Sequence, residues 1–185
     1  MRIKEGQNAK DFTVKDVFGK TISLSDYKGR KVLLSFFAFA SCNFCNLRVH
    51  RLMEHYDSYK AKGMDVIAFF EASTEDIMKY VGKQKPPFPI IPDRDKEIYN
   101  LYGVESKWSS FFGLVPKMFS LDYFRALRKG FMTRSDMFHA NMRRAPAEIL
   151  IGSDYTIHKA YYGKNLADHL HFDEIDYFSL DKMMQ

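Results

Sequence analysis

Val32-Leu33-Leu34-Ser35-Phe36-Phe37-Ala38-Phe39-Ala40-Ser41-Cys42-Asn43-Phe44-Cys45 is the stretch on which the fold turns. From Val32 to Ala40 one polar residue, Ser35, interrupts an apolar, Phe-rich run, the composition of a strand buried on both faces. Beyond Cys45 the period lengthens. Val49, Leu52, Met53, Tyr56 and Tyr59 share one helical face, with Arg48, Arg51, Glu54 and Lys62 directed elsewhere. Gly63 is suited to end that helix. A buried strand feeding an amphipathic helix points to α/β packing, with two cysteines at the junction.

Outward from this segment the alternation continues. Phe12-Thr13-Val14 and Thr21-Ile22-Ser23-Leu24 flank the turn-forming Asp16-Val17-Phe18-Gly19-Lys20, which predicts an N-terminal hairpin. Met64 to Phe70 reads as a second core strand. Ser73-Thr74-Glu75-Asp76 is a capping-box pattern opening a short helix. Phe88-Pro89-Ile90-Ile91 reads as a short extended segment whose proline suits a sheet edge, and Glu97 to Tyr102 as one or two helical turns. Near the other end, Glu148 to Ile151 and Thr156 to Tyr162 flank Gly152-Ser153-Asp154 as a second hairpin. Phe172, Ile175, Phe178 and Met183 mark a final amphipathic helix. The order predicts one α/β domain over 1–185, a three-layer sandwich around a mixed sheet.

A stretch at about 107–144 breaks the rhythm and reads as a helical insertion. It holds eight basic and two acidic residues, a net of +6, together with Trp108, Phe111, Phe112 and further aromatics. The whole chain of 185 residues carries +5, so the rest is close to neutral. Basicity confined to one aromatic segment suits packing, a docking surface, or the interface of a homodimer better than a nucleic-acid footprint, and no nucleic acid is expected. The apolar run before Cys42 is about half of the roughly 20 residues a membrane helix needs, so no membrane contact is expected either. Met1 to Gly6 shows no apolar leader, which gives a cytoplasmic location as the expectation.

Cys42-Asn43-Phe44-Cys45 demands a chemical explanation, since two cysteines are too few for a stapled scaffold. A helix N-terminus carries unpaired N–H groups and partial positive charge, which favour a thiolate, so the more N-terminal thiol is the expected nucleophile. Two thiols three apart at a helix start can close a disulfide, one resolving what the other attacks. Zinc held by Cys42 and Cys45 with His50, or with His169 and His171, is one alternative, and inert core cysteines another. His50 and His55 lie five apart, off the three- or four-residue spacing of helix neighbours, and read as packing or solvated side chains. No cofactor or metal is expected.

Gly19 to Leu34 resembles the entry to the alkyl hydroperoxide reductase/thiol-specific antioxidant (AhpC/TSA) family, and Ser35 to His50 resembles its peroxiredoxin-like branch carrying Cys-x-x-Cys. Pro146-Ala147-Glu148-Ile149-Leu150-Ile151 resembles the thioredoxin-fold segment in which a cis-proline faces the active cysteines. The resemblance covers about 1–104 and 145–185. It implies a thioredoxin-like fold and a thiol-dependent oxidoreductase that uses Cys42, Cys45 and Pro146 on peroxides or protein disulfides. It also implies a reductant such as a thioredoxin or glutathione system. The sequence departs from the peroxiredoxin pattern, with Ala38 at the proline position, Cys42 at the Thr/Ser position and Pro146 where the peroxide-orienting arginine would fall. Arg143 and Arg144 are its nearest basic neighbours. On the peroxiredoxin pattern Cys45 attacks; on the thioredoxin pattern Cys42 does. A binding module that keeps the fold without catalysis is the contrasting expectation.

Overall fold

A computed structural model describes residues 2–105 and 145–180. The insertion expected at about 107–144, with Arg143 and Arg144, and the Met183 end of the last helix lie outside the described residues. The elements are β1 (Thr13–Lys15), β2 (Thr21–Ser23), β3 (Lys31–Phe37), α1 (Asn43–Ala61), β4 (Met64–Phe70), α2 (Thr74–Tyr80), β5 (Ile90–Pro92), α3 (Glu97–Leu101), β6 (Ala147–Ile151), β7 (Ile157–Tyr162) and α4 (Phe172–Leu180). Strands β1 and β2 pair as the expected small antiparallel hairpin. The other five form one mixed sheet in the order β5-β4-β3-β6-β7, with β3, β4 and β5 parallel and β6 and β7 antiparallel.

The near-continuous apolar run of β3 makes sense in the middle of this sheet. Leu33 and Phe37 face a core shared with Val49, Leu52 and Tyr59 of α1, Ile77 of α2, and Ile175 and Phe178 of α4. Val32, Leu34 and Phe36 face a second core with Phe12, Ile22, Tyr99 of α3 and Tyr102. Period-two alternation thus feeds two cores, and the sheet is the middle of three layers. Register is reinforced by cross-strand rings. Phe36 opposes Phe69 and Phe37 opposes Phe70, and each pair stacks, at 4.7 and 4.8 Å between centroids. Such pairs add to the stability of one register over its neighbours. The Tyr99 hydroxyl donates to the carbonyls of Phe37 and Phe69, tying together the ends of β3 and β4 where the chain leaves the sheet.

The predicted helix signals hold. Gly63 has φ +75°, a left-handed conformation that a side chain would disfavour, two residues past the end of α1. The Ser73 hydroxyl accepts the Asp76 N–H at the start of α2. Strand β5 is an edge strand, which suits its Pro92 and the Pro89 just before it. No helix among the described residues is long and apolar enough to cross a membrane.

Candidate dithiol site

The chain leaves β3 at Phe37, turns through residues 38–41 and enters α1 with Cys42 as its N-cap. The turn is bonded closed by Cys42 N–H to the Phe39 carbonyl at 3.1 Å and by Glu71 N–H to the Ala38 carbonyl at 3.1 Å. The Cys42 sulfur takes the role that a serine or aspartate oxygen plays at other caps. It accepts the main-chain N–H of Cys45 at 3.3 Å. The two thiols are therefore brought together at the positive end of a 19-residue helix.

Both are free thiols, and they are not equivalent. Cys42 is 3% exposed and Cys45 fully buried. Burial pushes the Cys45 thiol well above its ordinary pKa, and its hydrogen bond to Cys42 and the Cys42 charge push the same way. Cys45 is held protonated beneath its partner, while Cys42 has a helix N–H aimed at its sulfur.

The first turn of α1 is fastened by side chains that the periodicity does not reveal. Asn46 donates from Nδ2 to the carbonyls of Ala40 and Cys42, and Gln84 donates to Asn46. One turn further on, Arg48 was expected to point away from the core and does not. It is buried, with Nε 2.9 Å from Glu148 Oε1 and a terminal nitrogen donating to the Leu170 carbonyl at 2.8 Å. Its guanidinium also lies 4.0 Å from the centroid of the Phe172 ring. Glu148, in the middle layer, accepts from the Ser35 hydroxyl at 3.2 Å and the Leu170 N–H at 2.7 Å as well. Burial would raise the Glu148 carboxyl, but the Arg48 charge and the neighbouring His169 outweigh it and bring it down to about 2. A cavity of about 290 Å³ opens alongside, walled by Phe44 of the cysteine motif, Leu47, Arg48, His169 and Phe172.

Pro146 immediately precedes β6, and Ala147 pairs with Phe36 near the end of β3 that leads to the cysteines. The fold thus brings Pro146 to the same end of the sheet as the dithiol. The expected cis bond is not there. Every peptide bond among the described residues is trans, that before Pro146 included. The Pro146 carbonyl accepts the Gly163 N–H at 2.9 Å, so the chain enters the β6–β7 ladder in the ordinary extended path with the isomer that X-Pro bonds prefer.

Among the described residues the histidines meet separate neighbours. His50 lies 3.5 Å from Glu54, and His55 stacks on Phe172 at 4.6 Å between centroids. His169 is largely buried, both ring nitrogens shut off from solvent, with Nδ1 3.7 Å from Glu148 Oε1, too long for a hydrogen bond. Among the described residues no three His, Cys, Asp or Glu side chains come together in a metal-ligand cluster.

A dithiol at the C-terminal end of a central parallel strand, on the first turn of the following helix, defines a thioredoxin-fold protein with a Cys-x-x-Cys site. The chain belongs to the AhpC/TSA family, whose model matches residues 5–160. It is 36% identical over 104 residues to thiol-disulfide oxidoreductase ResA of Bacillus thuringiensis subsp. konkukian, covering 56% of this chain and 60% of that one. It is 29% identical over 115 residues to chloroplastic peroxiredoxin Q of Triticum aestivum, covering 62% and 52% respectively. The chain thus spans somewhat over half the length of these relatives. A solved structure assigned as thiol:disulfide interchange protein DsbE from Chlorobium tepidum superposes with a TM-score of 0.65 at 20% identity, over 96% of both chains. At that identity the likeness speaks to the fold.

Proposed function

We propose that this protein is a thiol–disulfide oxidoreductase in which Cys42 attacks and Cys45 resolves. The observation that carries the reading is the asymmetry of the pair. The Cys42 sulfur caps the helix and receives the Cys45 N–H, whereas Cys45 is fully buried and held as a thiol.

The exchange runs in two balanced steps. The Cys42 thiolate attacks one sulfur of a substrate disulfide, forming a mixed disulfide and releasing the other sulfur as a thiolate that takes up a proton. Cys45 then loses its proton and attacks the Cys42 sulfur. The substrate leaves reduced by two electrons and the Cys42–Cys45 disulfide remains. A thiol reductant, of the thioredoxin or glutathione kind, returns the pair to the dithiol in a cytoplasmic setting. The peroxidase route on the peroxiredoxin pattern would begin at Cys45, and its burial weighs against that order.

The test is to trap the intermediate. In Cys45→Ser, substrate should accumulate as a mixed disulfide on Cys42, and Cys42→Ser should trap none. A peroxide-induced sulfenate on Cys45 in Cys42→Ser, with no trapping in Cys45→Ser, would replace this reading with the peroxidase route.

A further inference from the structure

Asn46 holds the main chain on both sides of Ser41, and its side-chain amide has one workable orientation. Nδ2 donates to the Ala40 carbonyl at 2.7 Å and to the Cys42 carbonyl at 2.9 Å, using both hydrogens. Oδ1 accepts from Gln84 Nε2 at 3.1 Å, and that same nitrogen lies 3.2 Å from the Asn46 main-chain oxygen. Asn46 is 2% exposed, so water does not substitute for any of these partners. The two ends of an amide are nearly alike in shape, and their partners decide which way round they sit. Reversed, Oδ1 would face two carbonyl oxygens and Nδ2 would face the Gln84 donor.

Gln84 shows which bond the fold keeps. It ends the short 3-10 turn Val81–Gln84 after α2. Its Oε1 is buried with no hydrogen-bond partner, an arrangement that carries a desolvation cost. Turning the Gln84 amide round would move Oε1 onto the two Asn46 oxygens and replace both bonds with repulsion. The donor stays on Asn46 at the expense of the acceptor.

We propose that Gln84 and Asn46 are positioning residues for the dithiol, acting as a relay of amide orientation. The Gln84 donor sets the Asn46 amide. Asn46 then pins the Ala40 and Cys42 carbonyls to the helix start, and the pinned main chain keeps the Cys42 sulfur on the Cys45 N–H. The inference rests on the exchange reading above, with Cys42 as the attacking thiol. Without the relay the Ala40 carbonyl is released and the Cys42 carbonyl keeps only the Asn46 main-chain N–H at 2.9 Å, so the sulfur is held less firmly on its helix donor. The rate of attack on a disulfide then falls, because it depends on thiolate character and access at that sulfur.

The test uses the full chain carrying Cys45→Ser and follows mixed-disulfide formation with a chromogenic aromatic disulfide, at fixed pH and in high salt so that introduced charges are screened. Asn46→Ala and Gln84→Glu, which removes the donor, should slow the reaction about tenfold, while Gln84→Lys, which retains an N–H donor, should stay within about twofold of the parent. Thermal unfolding is recorded for each. A merely structural role would shift the unfolding midpoint and treat the Glu and Lys replacements alike. If Gln84→Glu does not fold, Gln84→Met, neutral and without a donor, takes its place with the same slowing expected. Equal rates in every protein, or Gln84→Lys as slow as Gln84→Glu, would overturn the relay and leave the exchange reading standing. A parent whose Cys42 forms no mixed disulfide would overturn both.

Discussion

Arg48 Nε lies 2.9 Å from Glu148 Oε1, and this buried ion pair joins the helix that carries the dithiol to the strand that follows Pro146. With Ser35, Leu170 N–H and the Leu170 carbonyl completing its hydrogen bonds, the pair ties α1, β3, β6 and the loop before α4 to one point. Removing one partner strands the other charge. Arg48→Met or Glu148→Leu alone should cost about 3–5 kcal/mol, whereas the double replacement should recover most of that loss, because two apolar side chains leave no charge unpaired. Urea titration of the two single variants and the double variant gives the comparison. Additive losses would mean that the two charges do not act as a pair.

The same cluster makes the fold acid-sensitive in two windows. His169 is held below its ordinary pKa first of all by burial, so it is neutral in the folded protein and charges more readily once unfolded. The unfolded state then binds the extra proton, and stability should begin to fall as pH drops below about 6.5. Glu148 is depressed to about 2 from 4.5. Its contribution is complete above 4.5 and should be lost between there and pH 2, on the order of 3 kcal/mol in all. Denaturant midpoints from pH 8 to 3 should show both slopes. His169→Phe should remove the upper one and Glu148→Gln the lower one.

How much of this was open to the sequence depends on the range over which each feature is decided. Strand β3 and helix α1 are legible because hydrophobic period is local, and Leu33, Phe37, Val49 and Leu52 carry it within a few turns of chain. The dithiol is legible for the same reason, since Cys42 caps the helix in which Cys45 sits. Arg48 is not, because periodicity assigns every charge to solvent and its partner is 100 residues away. The available signal was Glu148 itself, a lone carboxylate in Ala147-Glu148-Ile149-Leu150-Ile151, which in a buried strand demands a cation. Gln84 and Asn46, 38 residues apart, left no such mark, being polar residues in ordinary helical positions. A proline in the sequence does not fix its own isomer, and the bond before Pro146 is trans.

Gly163 sits where the β6–β7 ladder closes behind Pro146. A Cβ built there would lie 2.2 Å from the Asp168 carbonyl oxygen and 3.1 Å from that of Pro146. Both obstacles are backbone, so no side chain can turn away to make room. Gly163→Ala should therefore destabilise the protein by about 1–3 kcal/mol, the usual range for forced overpacking. It should also lengthen the Gly163–Pro146 hydrogen bond, read as faster amide exchange at Gly163. An unchanged melting temperature would show that the 163–168 turn relaxes freely.

The asymmetry of the thiols can be read directly by alkylation. In the folded dithiol protein a small alkylating reagent should modify Cys42 at least tenfold faster than Cys45, because Cys45 is fully buried with its thiol pushed up, and reactivity follows thiolate fraction and access. The contrast belongs to the fold and not to the local sequence, so it should vanish in strong denaturant, where burial and the helix N-terminus are both gone. Peptide mass spectrometry after timed alkylation separates the two sites. Preferential labelling of Cys45 in the folded state would reverse the order of attack and make Cys45 the nucleophile, and equal labelling would remove the asymmetry on which the assignment rests. Cys45→Ser sharpens the comparison. It retains the main-chain N–H that the Cys42 sulfur accepts, so Cys42 should keep its rate within about twofold if the helix start rather than the second thiol sets its reactivity.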